Sequence, residues 1–345
     1  MERKKIIING RFYIHRVTGV ERYARELILE LDKIIKPGVA EIVLPRDVNE
    51  LPQLNNITVK KIGRLHNRLW EHISLPLYAL KKGIILNLCN VAPIISPGIV
   101  CIHDVKVKAR PKDFKKSFLL WYRFLFFNEC KRAKKIITVS EFSKAEICKY
   151  YKVNPDKIVV IPNAWQHMNR IGYDENALEK YQLKSKDFYF SMCSLEPNKN
   201  FRWIAEAAKL NKDKEFAVAG SINQTVFSQG LGFECPPNMH LLGYVSDQEA
   251  KTLMRECCAF LFPTFYEGFG IPPLEAMGAG ATSVYVSDTS IMHEVYKDSV
   301  EYIDPLDYKC NLDINESKEQ SINNVLNNYS WDKSAKLLMD LIEQN

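Results

Sequence analysis

The chain has 345 residues, 46 % hydrophobic and 26 % charged, which excludes a disordered or fibrous protein and is too long for one ordinary core. No run of 18 or more apolar residues exists: the best stretch, Phe118–Phe127, is broken by Arg123, so no bilayer-spanning helix is expected. The net charge of +6 hides an asymmetry, because residues 1–165 carry 31 Lys and Arg against 15 Asp and Glu (+16) while the remainder carries 16 against 26 (−10). A basic first half points to an anionic partner there: nucleic acid, an anionic membrane or a phosphorylated substrate.

In chain order, Lys5–Asn9 predicts a short buried strand, followed by a loop through Arg16–Gly19 and an amphipathic helix from about Val20. Its leading apolar run, Ile6–Ile8, is too short for a signal peptide, and a cytosolic protein is expected. Further strands are predicted at Ala40–Leu44, Ile84–Leu88, Ile99–Ile102, Lys135–Val139 and Ile158–Ile161, with helical patterns between them such as Ser143–Tyr151. Residues 165–186 are polar and read as an interdomain linker, so the domains are expected at 1–165 and 187–325, with 166–186 between them. Strands then recur at Phe188–Met192, Phe216–Ala219, His240–Leu242, Ala259–Phe262 and Ser283–Val286, alternating with helices over Phe201–Leu210, Asp247–Cys257 and from Pro273. Residues 326–345 are expected as a helix returning to the first domain. Such alternation implies parallel sheets covered on both faces: two Rossmann-like doubly wound α/β domains facing across a cleft, with ligands at the carboxyl ends of the strands.

Nine cysteines (Cys89, Cys101, Cys130, Cys148, Cys193, Cys235, Cys257, Cys258, Cys310) are scattered without a Cys-x-x-Cys pair, and are expected as buried free thiols. Lys106–Lys135 holds eleven basic residues around Phe114, Phe118, Trp121, Tyr122 and Leu125 at helical spacing. That pattern suits adsorption to an anionic membrane, or alternatively a core-packed helix with solvated basic ends. No nucleic-acid-binding module is present, and no nucleic-acid partner is expected.

The densest segment is Phe262–Met277, FPTFYEGFGIPPLEAM. A strand ends, a glycine loop (Gly268-Phe269-Gly270) follows, and Pro272–Pro273 opens a helix carrying Glu275. Glycines let backbone N–H groups approach a ligand, and the helix N-terminus behind them favours an anion such as phosphate. Glu267 and Glu275 flank the loop eight residues apart, two carboxylates able to accept from the hydroxyls of a sugar or ribose.

The string EGFGIPPLEAM resembles the E-x7-E signature of the retaining glycosyltransferases of family 4, which have the two-domain GT-B fold. The resemblance spans nearly the whole chain, through Thr18–Tyr23, Ile102-His103-Asp104, Thr138–Ser143, Ile161–Ala164, Ser194–Asn200 and Leu242–Asp247. It implies that Glu275 accepts from the nucleotide ribose, that Glu267 faces the donor sugar, and that the amides of Gly268, Phe269 and Gly270 hold sugar hydroxyls or phosphate. Lys199 would neutralise the departing diphosphate, Gly19 would let backbone approach it, and His103 would bond the donor sugar. Tyr244 and Val245 would lie in the nucleotide-base loop. The family's usual Arg near this Lys is missing: Ser194 and Asn198 stand there, so Lys199 acts alone or Arg202 or another cation substitutes. The implied reaction is metal-independent transfer, with retention, from a nucleotide-diphosphate sugar to a sugar acceptor on a polyprenyl-diphosphate lipid, in surface polysaccharide (O-antigen or capsule) assembly. The implied place is peripheral, at the inner face of the plasma membrane, and no cofactor is expected. Nucleotide-sugar epimerisation, phosphorolysis, or a non-catalytic membrane-docking role are the alternatives.

Overall fold

The computed structural model describes residues 5–192, 196–220, 235–309, 312 and 318–344. It separates into two compact units, residues 1–164 with 330–345, and residues 165–329.

The first unit is built on a seven-stranded parallel sheet in the order β3-β2-β1-β4-β5-β6-β7. Its strands are β1 Lys5–Asn9, β2 Ala40–Leu44, β3 Thr58–Lys61, β4 Gly83–Asn87, β5 Ile99–Cys101, β6 Lys135–Thr138 and β7 Ile158–Val160. Ile6, Ile7 and Ile8 on β1 and all of β2 are buried, as expected of strands covered on both faces. β3 (Thr-Val-Lys-Lys) was not expected; it is a mostly exposed edge strand whose lysines blunt that edge, and Lys60 pairs with the buried Glu41 at 2.7 Å.

Helix α1 (Gly19–Ile34) starts with Thr18, whose backbone N–H donates to Glu21 at 3.2 Å, and buries Tyr23, Leu27 and Leu31. Helix α2 (Lys116–Arg132) and helix α3 (Glu141–Tyr151) cover the sheet further along. Between β3 and β4 a helical segment over 67–79, absent from the sequence expectation, includes a π-helical turn at Trp70–Ser74.

The second unit has a six-stranded parallel sheet in the order β10-β9-β8-β11-β12-β13, formed by Phe188–Met192 (β8), Glu215–Ala219 (β9), Met239–Gly243 (β10), Ala259–Phe262 (β11), Val284–Ser287 (β12) and Glu301–Ile303 (β13). Around it lie α4 (Phe201–Leu210), α5 (Asp247–Glu256), α6 (Ile271–Ala279), α7 (Ser290–Tyr296) and α8 (Glu319–Asn328).

The stretch 166–186 is not a linker. His167 and Met168 are buried in a short 3-10 helix, and buried Lys251 donates to the carbonyls of Met168 and Ile171 at 2.8 and 2.7 Å. Most of its polar side chains are exposed, which is why composition alone suggested a linker, while its backbone carbonyls and the buried His167 and Met168 tie it to the second unit. The final helix, α9 (Trp331–Glu343), is part of the first unit: Trp331 is buried 6.0 Å from the Tyr23 ring, and Ser334 donates to the Pro162 carbonyl at 2.8 Å. The boundary falls at Ser330 rather than at 326, because Val325 and Tyr329 serve the second unit. Counted by unit, the charge asymmetry is +15 against −9.

The described cysteines are all free; Cys101, Cys130, Cys257 and Cys258 are buried, whereas Cys235 is exposed, against expectation. Cys193 and Cys310 lie outside the described residues. Among the described residues no helix is long and apolar enough to cross a membrane.

Candidate active site

In a parallel sheet every strand ends at the same edge, so the loops after β8, β10 and β11 gather there. The loop after β8 carries Lys199, the loop after β10 carries Tyr244 and Val245, and the loop after β11 carries Glu267 to Gly270. Two backbone-anchored bonds hold the first and last of these loops together. Phe265 N–H donates to the Asn198 carbonyl at 2.9 Å, and Asn198 Nδ2 donates to the Tyr266 carbonyl at 2.7 Å. That clamp sets Lys199 Nζ 2.8 Å from Glu267 Oε1, with both side chains mostly buried. The position next to Lys199 is therefore spent on joining loops. The Arg202 guanidinium lies over the Tyr308 ring, 4.9 Å from its centroid. Ser194 lies outside the described residues.

The glycine loop is held from within. Phe269 is buried edge-on against Tyr329, with centroids 5.2 Å apart. Gly270 sits at φ +83°, a conformation that favours glycine, and a Cβ there would meet Met292 Cε at 2.7 Å. The buried Tyr296 hydroxyl donates to the Gly270 carbonyl, and burial pushes that phenol well above its usual pKa. Neither Tyr296 nor Met292 was singled out from the sequence; both are ordinary apolar-face residues of α7 by pattern.

Helix α6 begins at Ile271, not Pro273, and its next two positions are Pro272 and Pro273. Prolines have no N–H, so this helix end offers fewer free donors than expected. Asn198 Oδ1 and Thr264 Oγ1 are buried there without a hydrogen-bond partner.

Glu275 is 7 % exposed, and its Oε1 accepts from His167 Nε2 at 2.8 Å. A carboxylate buried to that degree needs such a partner. His167 was missed because it lies in the stretch read as linker, 108 residues away in sequence. Gly278, one turn further along α6, faces Trp165 so closely that a Cβ would approach the indole to 2.4 Å.

Tyr244 is 62 % exposed at the strand edge, whereas the Val245 side chain is interior, so Val245 can meet a ligand only through its backbone.

His103 and Gly19 belong to the first unit. Gly19 is the first residue of α1. His103 is buried, its backbone N–H donates to Asn90 Oδ1 at 2.8 Å, and its Nε2 lies 2.9 Å from the Leu88 carbonyl. A carbonyl can only accept, so Nε2 carries the hydrogen and Nδ1 is an acceptor. Burial holds the imidazole pKa below the ordinary value, with the Leu88 bond opposing, so the ring is neutral near pH 7. Asp104 does not orient it; Asp104 instead accepts from the Lys106 N–H.

Helix α2 divides its aromatic residues between two faces. Phe114, Phe118 and Tyr122 stack in sequence at 5.2 and 4.2 Å, and Leu125 and Phe126 are buried. The opposite face leaves Leu120 77 %, Phe124 49 % and Phe127 58 % exposed. The residues picked out by periodicity are thus largely the inward ones, and the bare apolar face lies between them.

Among the described residues no three His, Cys, Asp or Glu side chains gather as a metal site. In sequence, the chain matches Glycosyltransferase Family 4 over residues 17–165 and Glycosyl transferases group 1 over residues 174–344. The chain belongs to the group 1 glycosyltransferases of family 4. This glycosyltransferase is 28 % identical over 326 residues to the O-antigen chain mannosyltransferase RfbU of Salmonella typhimurium, covering 89 % of the chain and 86 % of the relative. It is 29 % identical over 201 residues to the UDP-Gal:α-D-GlcNAc-diphosphoundecaprenol α-1,3-galactosyltransferase of Escherichia coli, covering 53 % and 50 %. Its fold matches Anabaena Alr3699/HepE, solved in complex with UDP and glucose, with a TM-score of 0.70, 14 % identity, and coverage of 99 % and 100 %. At that identity the likeness is one of fold, and the glycosyltransferase has the GT-B architecture of two Rossmann-like domains.

Proposed function

We propose that the glycosyltransferase moves a hexose, with retention and without a metal, from a nucleotide-diphosphate sugar to a saccharide acceptor on a polyprenyl-diphosphate lipid. The observation that carries the reading is the clamped Lys199–Glu267 pair at the sheet edge, one loop away from Glu275. Lys199 meets the diphosphate as its charge grows on departure, an interaction that strengthens toward the transition state. Glu267, already neutralised by Lys199, suits accepting from donor-sugar hydroxyls better than attacking carbon, which favours a mechanism without a protein nucleophile. In that mechanism the leaving phosphate oxygen takes the acceptor proton on the same face. Glu275 Oε2 accepts from the ribose, backbone amides of Gly268 to Gly270 hold the diphosphate or sugar, and the Tyr244–Val245 loop takes the base. His103 Nδ1 accepts from a sugar hydroxyl, and Gly19 admits backbone to the diphosphate.

The names of the relatives favour surface polysaccharide assembly, a lipid-diphosphate acceptor and mannose as the first donor sugar to try. The test is transfer from a panel of GDP-, UDP- and dTDP-sugars, with and without EDTA. Turnover with at least one donor, unchanged by EDTA, is expected. No turnover of any donor refutes the transferase reading, and activity abolished by chelator and restored by Mn²⁺ or Mg²⁺ refutes metal independence.

The proposed setting is the cytoplasmic face of the membrane. The bare face of α2 (Leu120, Phe124, Phe127) and the exposed Lys112, Lys115 and Lys116 at its start together fit an anionic bilayer. Each engaged lysine contributes about 1 kcal/mol. Replacing all three with Glu is expected to release the protein from anionic vesicles at low salt, with nucleotide affinity unchanged. Equal sedimentation of wild type and triple variant refutes the membrane setting.

A further inference from the structure

Helix α2 carries a carboxyl that the reaction proposed above does not use. Glu129 is 0 % exposed, on the helix that gives Phe126 and Cys130 to the same apolar core as Ala92. Its Oε1 accepts from the Ala92 N–H at 3.0 Å, and its Oε2 is buried with no hydrogen-bond partner. Burial pushes this carboxyl well above the ordinary carboxylate range against the pull of the Ala92 bond, and the Glu71 carboxylate raises it further. Glu129 is therefore a neutral acid near pH 7, because ionising it would strand a charge in an apolar interior.

A buried carboxyl costs more than an apolar side chain of the same size, so its contact with residues 88–95 is what distinguishes it. This stretch joins β4 to β5, and α2 holds it at a second place as well. Asn128 Nδ2 donates to the Ile94 carbonyl at 2.7 Å, and Arg132 Nη1 donates to the same carbonyl at 3.3 Å.

The other end of the stretch supplies two partners of His103. The Leu88 carbonyl accepts from Nε2–H, and Asn90 Oδ1 accepts from the His103 backbone N–H. Asn90 itself lies at φ +51°, in the left-handed region, where a residue other than glycine persists because its surroundings hold it. Its N–H donates to the Cys101 carbonyl at 3.1 Å, so β5 fixes one side of the turn. Glu129 fixes the other side through Ala92. With Val91 alone between them, Ala92 cannot shift without turning Asn90.

We propose that Glu129 is a positioning residue for His103: by holding the Ala92 amide it keeps Asn90 in its left-handed turn, and so sets where the imidazole presents Nδ1. The inference rests on the reading above only in giving that nitrogen a sugar hydroxyl to accept from. Glutamine has the same shape and also offers an oxygen to Ala92, so Glu129→Gln preserves the hold. Glu129→Leu fills the space and loses the acceptor.

The test reads His103 directly, by NMR of the whole chain labelled with ¹⁵N-histidine. The His103 ring signal, identified by its absence from His103→Gln, is expected to show Nε2 protonated and Nδ1 bare in the wild type and in Glu129→Gln. In Glu129→Leu, and in Asn90→Gly, which suits the left-handed backbone, it is expected to move toward a mixture of the two tautomers. Turnover is expected to fall at least tenfold in both, with nucleotide affinity unchanged, and to stay near the wild-type rate in Glu129→Gln. Glu129→Asp, which keeps the acid but falls short of Ala92, is expected to act as Glu129→Leu does and serves where that variant does not fold. The proposal falls if the His103 signal of Glu129→Leu or Glu129→Asp stays at its wild-type position, or if Glu129→Gln shifts it as far as they do. A shifted signal with wild-type turnover keeps the positioning and instead removes His103 from the reaction, so the two readings fail separately.

Discussion

Lys199→Ala is expected to weaken nucleotide-diphosphate binding about tenfold to a hundredfold and to lower turnover by at least as much. A hydrogen bond to a charged group contributes about 1.5–3 kcal/mol, and each 1.4 kcal/mol is tenfold. The loss is compounded because Glu267, now unpaired, sits 2.8 Å from where the ammonium was and repels the diphosphate. Removing that carboxylate as well should relieve the repulsion, so the double variant Lys199→Ala/Glu267→Ala binds nucleotide more tightly than Lys199→Ala alone. Glu267→Ala by itself frees the lysine: nucleotide affinity holds or rises, while turnover falls about tenfold to a hundredfold through the lost sugar contact. Calorimetry on the three variants gives the order directly. Wild-type affinity in Lys199→Ala would remove the diphosphate role, and a double variant weaker than both singles would mean that the pair only holds the loops.

His167→Ala should act at the nucleotide although His167 is assigned no ligand contact. It leaves Glu275 buried without its donor, at a cost of about 1–3 kcal/mol. For a unit of 165 residues that corresponds to a fall in unfolding temperature of about 2–12 °C. The freed carboxylate loses its fixed orientation, so nucleotide affinity drops about fivefold to tenfold, and His167→Gln, which keeps an N–H donor, recovers part of both. Glu275→Ala should show a similar thermal loss with a larger drop in affinity, since it also removes the ribose acceptor. A stability loss in His167→Ala with wild-type nucleotide affinity would make the pair a packing device and leave the ribose to another group.

Both predictions concern residues of unequal visibility in the sequence. Glu267, Gly270 and Glu275 stand in one short string whose strand, glycine loop and helix could be placed from local pattern alone. Most strands were equally legible, because apolar runs bounded by turns leave little choice in a doubly wound sheet. What escaped was whatever depends on distant partners. β3 is polar because it is an edge, so it lacks a strand's apolar signature. His167 sits in a polar segment and acquires meaning only from Glu275, and Asn198 looked like a missing cation until its side chain was seen joining two loops. The tie from Glu129 to His103 runs through Ala92 and Asn90, too dispersed for any motif. The prolines after Gly270 were legible as a helix start, yet their missing N–H groups weaken the anion site that a helix start usually implies.

The return of α9 to the first unit has a consequence for biosynthesis. Trp331 and Leu338 are interior residues of that unit, yet they are translated only after all of residues 165–329. The emerging first unit therefore waits on the ribosome with the seat of Trp331 against Tyr23 unfilled, while the second unit can close as soon as its own residues are out. For that interval the nascent chain exposes apolar surface on its more basic unit. Premature termination shortly beyond Tyr329 would leave a complete second unit attached to a first that lacks the buried face of α9 and cannot finish folding. Quality-control proteases should then degrade such products from the first unit, however well their second unit holds a nucleotide.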